Sequence, residues 1–181
     1  MTILVIAEHD NALIKPATLN TVTAAAIVSM FTDAEIHLLV AGCGAHRAAD
    51  AASHIAGVTK VLSAEAPQLT DDPTGDFEAT VLAIVNTYSH VFAPATPYGE
   101  RIAPRIAAKL DVTEISDVTA IDLADTFECT RDDDGNAAPI FHSDDRIKIV
   151  KVQTSSFDPA AAQGGSAAIE KIVAAAAAGA P

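Results

Sequence analysis

Short, unbroken apolar runs alternate along this chain with stretches of helical period. ILVIA (3–7), EIHLLVAG (35–42), KVLSA (60–64) and HVFAPA (90–95) have the length and composition of buried strands. Between them, TLNTVTAAAIVSMF (18–31) predicts a helix with Leu19, Val22 and Ala26 on one face. AHRAADAASHIAG (45–57) predicts a second, closed by Gly57, and DDPTGD (71–76) a turn opening a third over 77–87. In PATPYGERIAPRIAAKLDV (94–112) a strand end runs into a fourth helix. Its Ile102, Ile106 and Leu110 form an inward stripe, and Arg101, Arg105 and Lys109 form the stripe beside it. Pro104 is placed near the first turn or two, where its missing N–H costs less than the ~3 kcal/mol of a helix interior. Strand, helix, strand at this rhythm gives right-handed βαβ units. The predicted fold is α/β, a mostly parallel, doubly wound sheet with helices on both faces.

After residue 112 the rhythm changes. SDVTAIDL (116–123) and RIKIVKVQT (146–154) are strand-like with no long helix between them, which predicts a small antiparallel extension at one side. In the second run Ile147 and Ile149 share one face before Val150 and Val152 take the other, which predicts a bulge or a change of burial. KIVAAAAAGAP (171–181) is alanine-rich. The expected division is a domain over 1–165 and a terminal helix or linker over 166–181.

Half the residues are apolar but only 4% are aromatic, so the core must be built from Ala, Val, Ile and Leu. Eleven basic against 24 acidic side chains leave a net charge of −13, which argues against nucleic acid and anionic membrane surfaces. Cys43 and Cys129 form neither a metal motif nor a disulfide framework, as suits a reducing compartment. The first strand begins almost at once with no apolar leader, and no apolar run is long enough to span a bilayer. A cytoplasmic protein without membrane insertion is expected.

Open α/β sheets bind ligands beyond the carboxyl ends of their strands. Three loops qualify. EHDN (8–11) offers His9 between two acids as a general base or ligand, although a polar loop after a buried strand produces the same string. AGCGA (41–45) offers Gly42 and Gly44 as a phosphate seat on backbone N–H groups; it lacks the full G-x-G-x-x-G, and glycine also simply permits the turn. PATPYGE (94–100) places Thr96 and Tyr98 at a helix N-terminus. His37, His46, His54, His90 and His142 are scattered, and structural or surface roles are the default for each. The strings contain no Walker motif, zinc spacing, nucleophile elbow or complete triad, so neither a catalytic nor a metal site is expected. On these residues alone, a stand-alone nucleotide-binding α/β protein remains one reading.

ILVIAEHDN, TLNTVTAAA, HLLVAG, GVTKVL, YSHVFAPATPYGERIAPRIAAKLDV, ISDVTAI, DTF and FDPAAAQGGSAAIE resemble, in order and spacing, the N-terminal domain of the electron transfer flavoprotein alpha subunit. The resemblance implies an adenine-nucleotide-hydrolase-like fold and an electron-transfer component without catalysis of its own. It also implies a heterodimer carrying FAD, which takes electrons from acyl-CoA and other dehydrogenases, as in fatty acid β-oxidation, and passes them toward the respiratory chain. In that family this domain and the beta subunit form a base for the alpha C-terminal domain, the main holder of FAD. The present chain stops where the linker to that domain would lie. No flavin-contacting positions are therefore carried over, and FAD is not expected on this chain alone. The resemblance also places Arg101, Arg105 and Lys109 in intersubunit surroundings, as partner-interface candidates toward the beta subunit. FECTRDDDGNAA (127–138) departs from the family's apolar pattern. Three adjacent carboxylates, Asp132, Asp133 and Asp134, predict an exposed hairpin tip or loop over 130–135.

Overall fold

A computed structural model describes residues 1–70, 74–130 and 139–177. Its first part follows the predicted rhythm: β1 (Thr2–Ile6), α1 (Pro16–Thr32), β2 (Glu35–Gly42), α2 (His46–Ser53), β3 (Lys60–Glu65), α3 (Thr74–Ile84), β4 (His90–Pro94) and α4 (Pro97–Leu110). β5 (Glu114–Leu123), β6 (Thr126–Cys129), β7 (Ile140–His142), β8 (Lys148–Val152) and β9 (Ala168–Ile172) complete a sheet of order β7-β6-β5-β8-β4-β1-β2-β3-β9.

The central strands β8, β4, β1, β2 and β3 are parallel and buried on both faces. Ile3, Val5, Leu38 and Val150 point to the face covered by α1 and α2, whereas Leu4, Ile6, Leu39 and Ile149 point to the face covered by α3 and α4. β1 lies between β2 and β4, so successive crossovers leave it in opposite directions. That makes the space beyond its carboxyl end the switch point of the sheet.

β8 is regular, pairing with β4 without a break from His90↔Lys148 to Pro94↔Val152. Ile147 and Ile149 face one layer and Val150 and Val152 the other, as in any straight strand buried on both sides; the expected bulge is not in this strand. It is in β5. There the register with β8 slips by a residue between Ile115 and Val118, at Asp117 with φ 52°. The two late runs are also paired parallel rather than antiparallel. Their crossover is the β6–β7 hairpin, and among the described strands β5–β6 and β6–β7 are the antiparallel pairs, which form the expected antiparallel extension. Beyond the bulge β5 turns back across the sheet, since the Ala124 carbonyl accepts a hydrogen bond from Nε2 of His90, the first residue of β4, at 2.6 Å. Val118, Ile121 and Phe127 thereby join the layer of α1.

Three other expectations are corrected. Pro104 is the eighth residue of α4, in mid-helix, because the helix already begins at Pro97 behind its Thr96 cap. The ring is tolerated on the exposed side, where the carbonyl of exposed Glu100 can take its bond from water. The tail expected as helix or linker contains β9, which pairs parallel with β3 from Lys60↔Ala168 to Ala64↔Ile172. Beyond it residues 174–177 stay non-helical against α3. The Ala175 N–H donates to Thr80 Oγ1 at 3.0 Å and the Ala177 N–H to Asp76 Oδ1 at 2.7 Å. Alanine's helix propensity is a few tenths of a kcal/mol per residue, and tertiary hydrogen bonds to a pre-formed edge outweigh it. α2 also stops at Ser53, so Gly57, with φ 88°, turns the chain after the helix instead of capping it. The expected 130–135 tip falls almost wholly on residues outside those described.

Candidate functional site

At the switch point lies a cavity of about 400 Å³. The loop after β1 supplies His9 and Asn11, and the end of β2 supplies Ala41, Gly42 and Cys43. Thr74 and Phe77 come from the first turn of α3, and Tyr98, Arg101 and Ile102 from the first turns of α4. The sequence points to each of these loops separately, and the fold brings all three together.

The chemistry differs from that first read into them. The Asn11 N–H donates to His9 Nδ1 at 3.0 Å, so the neutral ring carries its proton on Nε2 and donates it to the Ala41 carbonyl at 2.9 Å. Burial holds the His9 pKa below the ordinary histidine value, despite the opposing Ala41 carbonyl and the neighbouring Asp10 and Glu8. With both nitrogens occupied by backbone, His9 ties the β1 loop to β2 and is not placed as a general base. Glu8 is likewise engaged, accepting from Thr96 Oγ1 at 2.8 Å. Gly42 is closely packed: a Cβ there would lie 3.1 Å from the His9 ring and 2.7 Å from Asn11 Oδ1, which would have to swing away. Gly44, with φ 74°, supplies the left-handed turn into α2. The Phe77 and Tyr98 rings meet edge to face at 6.0 Å, and burial raises the pKa of the Tyr98 hydroxyl, which therefore stays protonated.

The cationic stripe divides. Arg101 faces the cavity, while Arg105 Nε donates to Glu78 Oε2 at 2.6 Å and Lys109 Nζ lies 4.0 Å from Glu78 Oε1. Glu78 is buried on α3, so two of the three cations neutralise an acid of the same domain. A second ionic cluster escaped the sequence reading. Lys151, 5% exposed in the middle of β8, reaches Glu100 of α4 at 2.7 Å and Glu114 of β5 at 3.0 Å. A lysine inside the apolar run IKIVKV was its only signal.

Of the remaining histidines, His37 bonds Tyr88 Oη at 2.8 Å and Glu35 at 3.3 Å, and His54 bonds the Asp50 carbonyl at 2.9 Å. His46 and His142 sit at the surface near carboxylates. Among the described residues, no helix is long and apolar enough to cross a membrane.

This doubly wound sheet with an antiparallel hairpin at one side makes the chain an open α/β domain. It belongs to the electron transfer flavoprotein domain family, whose model matches residues 3–177. Over 172 residues, 95% of this chain and 54% of the relative, it is 41% identical to the electron transfer flavoprotein subunit alpha of Pseudomonas aeruginosa. The Bradyrhizobium diazoefficiens subunit alpha is 42% identical over 176 residues, covering 97% and 54%. The mitochondrial subunit alpha of Dictyostelium discoideum is 36% identical over 175 residues, covering 93% and 48%. The chain is thus an alpha-type domain of this family, and it spans about half the length of the curated relatives it matches.

Proposed function

We propose that this domain is the scaffold part of an electron transfer flavoprotein alpha subunit. It supports an FAD-carrying domain and pairs with a beta subunit, in electron transfer from acyl-CoA and other dehydrogenases to the respiratory chain. The observation that carries this reading is the 41% identity over 172 residues to an alpha subunit roughly twice as long, beside the family model's match over residues 3–177. The architecture supports a scaffold role, because buried Glu78 ties α3 to α4 and buried Lys151 ties α4 to the sheet.

Two measurements test the reading. The purified chain is expected to be colourless, since this reading puts the flavin on the FAD-carrying domain that the chain supports; flavin absorbance bands at near-equimolar content would contradict this. Immobilised beta subunit from a related heterodimer is expected to retain the chain. Joint replacement of Arg101, Arg105 and Lys109 by glutamine is expected to weaken that retention, if the stripe contributes to docking as proposed. Charge reversal at Arg105 is the wrong probe, because it would set a carboxylate against buried Glu78. Urea unfolding of the triple variant separates lost docking from lost folding. A folded triple variant that binds the beta subunit as well as the parent removes the stripe from the interface.

A further inference from the structure

We propose that a second cavity, under the carboxyl end of α3 and at the opposite end of the sheet from the switch point, binds a small zwitterion. Its ligand carries an ammonium and a carboxylate on a short aliphatic body, as a free aliphatic amino acid does. The proposal goes beyond the scaffold reading and does not depend on it.

The cavity measures about 390 Å³, ample for a molecule of that size. The pleat of the sheet builds it. His37 of β2 pairs with Lys60 of β3, and Leu62 with Glu170 of β9, so these side chains and Ile172 project together toward α3. Leu62, Ile172 and Ile84 of α3 make an apolar floor. Beside it stand one cation and one anion, Lys60 Nζ and Glu170 Oε2, 3.0 Å apart with side chains 37% and 54% exposed. An ion pair that open to water holds weakly, so a ligand can part it at small cost.

Tyr88 is the third polar group. Glu35 Oε2, 3.3 Å from His37 Nε2, can only accept, so the neutral ring carries its proton on that nitrogen. Nδ1 is then an acceptor, and the Tyr88 hydroxyl donates to it at 2.8 Å. Burial holds the His37 pKa below the ordinary histidine value against the pull of Glu35 and Glu170, and Lys60 acts in the same sense as burial. Burial, with Glu170, pushes the Tyr88 hydroxyl up to about 12, so this arrangement persists at neutral pH. With its proton committed to His37, Tyr88 Oη has lone pairs alone to offer. Oη and the Glu170 carboxylate are thus two acceptors for an ammonium, and Lys60 is the donor for a carboxylate. Charge decides the class of ligand. A simple anion would come to rest beside Glu170 and a simple cation beside Lys60, whereas a zwitterion exchanges one neutral pair for two.

Nuclear magnetic resonance titration of the full chain with isotope-labelled tyrosine tests this. The chain has two tyrosines; Tyr88 lines this cavity and Tyr98 the other, so the Tyr98 ring is an internal control. The probes are L-leucine, isoamylamine, which lacks the carboxylate, and isocaproate, which lacks the ammonium. Leucine is expected to move the Tyr88 signal and not that of Tyr98, with a Kd of about 1 mM or below, as suits so small a ligand. Each half-probe is expected to bind about tenfold more weakly or worse, having lost one charged hydrogen-bonding group. Lys60→Gln is expected to weaken leucine about tenfold without weakening isoamylamine, and Glu170→Gln to weaken leucine similarly without weakening isocaproate. The proposal is overturned if leucine in large excess leaves Tyr88 unmoved, or if either half-probe binds as tightly as leucine. It is equally overturned if either variant binds leucine like the parent, or if the variants weaken all three probes alike.

Discussion

Replacing Ile106 with alanine is expected to lower unfolding free energy by about 2–5 kcal/mol, the range for emptying a well-packed aliphatic site. Ile106 is fully buried in the layer that also holds Phe77, Val81, Val91 and Ile149, between α3, α4 and the sheet. Urea unfolding followed by far-ultraviolet circular dichroism measures the loss. A change below ~0.5 kcal/mol would mean that the site collapses freely and that α4 is not packed as described.

The second large effect is expected at Lys151. Its change to methionine keeps the volume but leaves Glu114, whose side chain is 13% exposed, without its cation, at a cost of about 3 kcal/mol. Glu100 is half exposed and can return to water, so the loss falls mainly on Glu114. Adding Glu114→Leu and Glu100→Gln is expected to restore most of the stability, because the buried charges then disappear together. If the single change is neutral in urea melts, the lysine is solvated and the cluster is not structural. Burial alone would lower the Lys151 pKa. The hydrogen bonds and charges of Glu100 and Glu114 outweigh it, and the net shift is upward from 10.5. Its contribution is therefore complete below about pH 10.5 and is lost as pH rises through the higher folded-state value. The parent should lose stability in that alkaline window more steeply than the methionine variant.

The first 112 residues were legible because period and burial coincide there. EIHLLVAG is β2 residue for residue, and Ile102 and Ile106 face the core as their spacing requires. The later part was harder for physical reasons. A parallel crossover made by a hairpin has no helical period to announce it, so β5 and β8 looked like antiparallel neighbours. β9 is held by main-chain bonds with its side chains largely exposed, and no apolar alternation marks such a strand. The candidate site was half legible. Its loops could be named from strand ends, but the occupation of both His9 nitrogens and the capture of Arg105 and Lys109 by Glu78 depend on contacts between distant segments. No local pattern encodes those.

β9 also bears on biosynthesis. Lys60 pairs with Ala168, so a chain emerging from the ribosome displays β3 with one side unpaired until residues 168–172 have been made. An open strand of this kind invites pairing with other nascent chains. Lys60 and Glu65, at its two ends, are the charged residues that discourage such pairing. When β9 arrives, Lys60 takes Glu170 at 3.0 Å, so the residue that guards the edge during synthesis afterwards faces a partner across it.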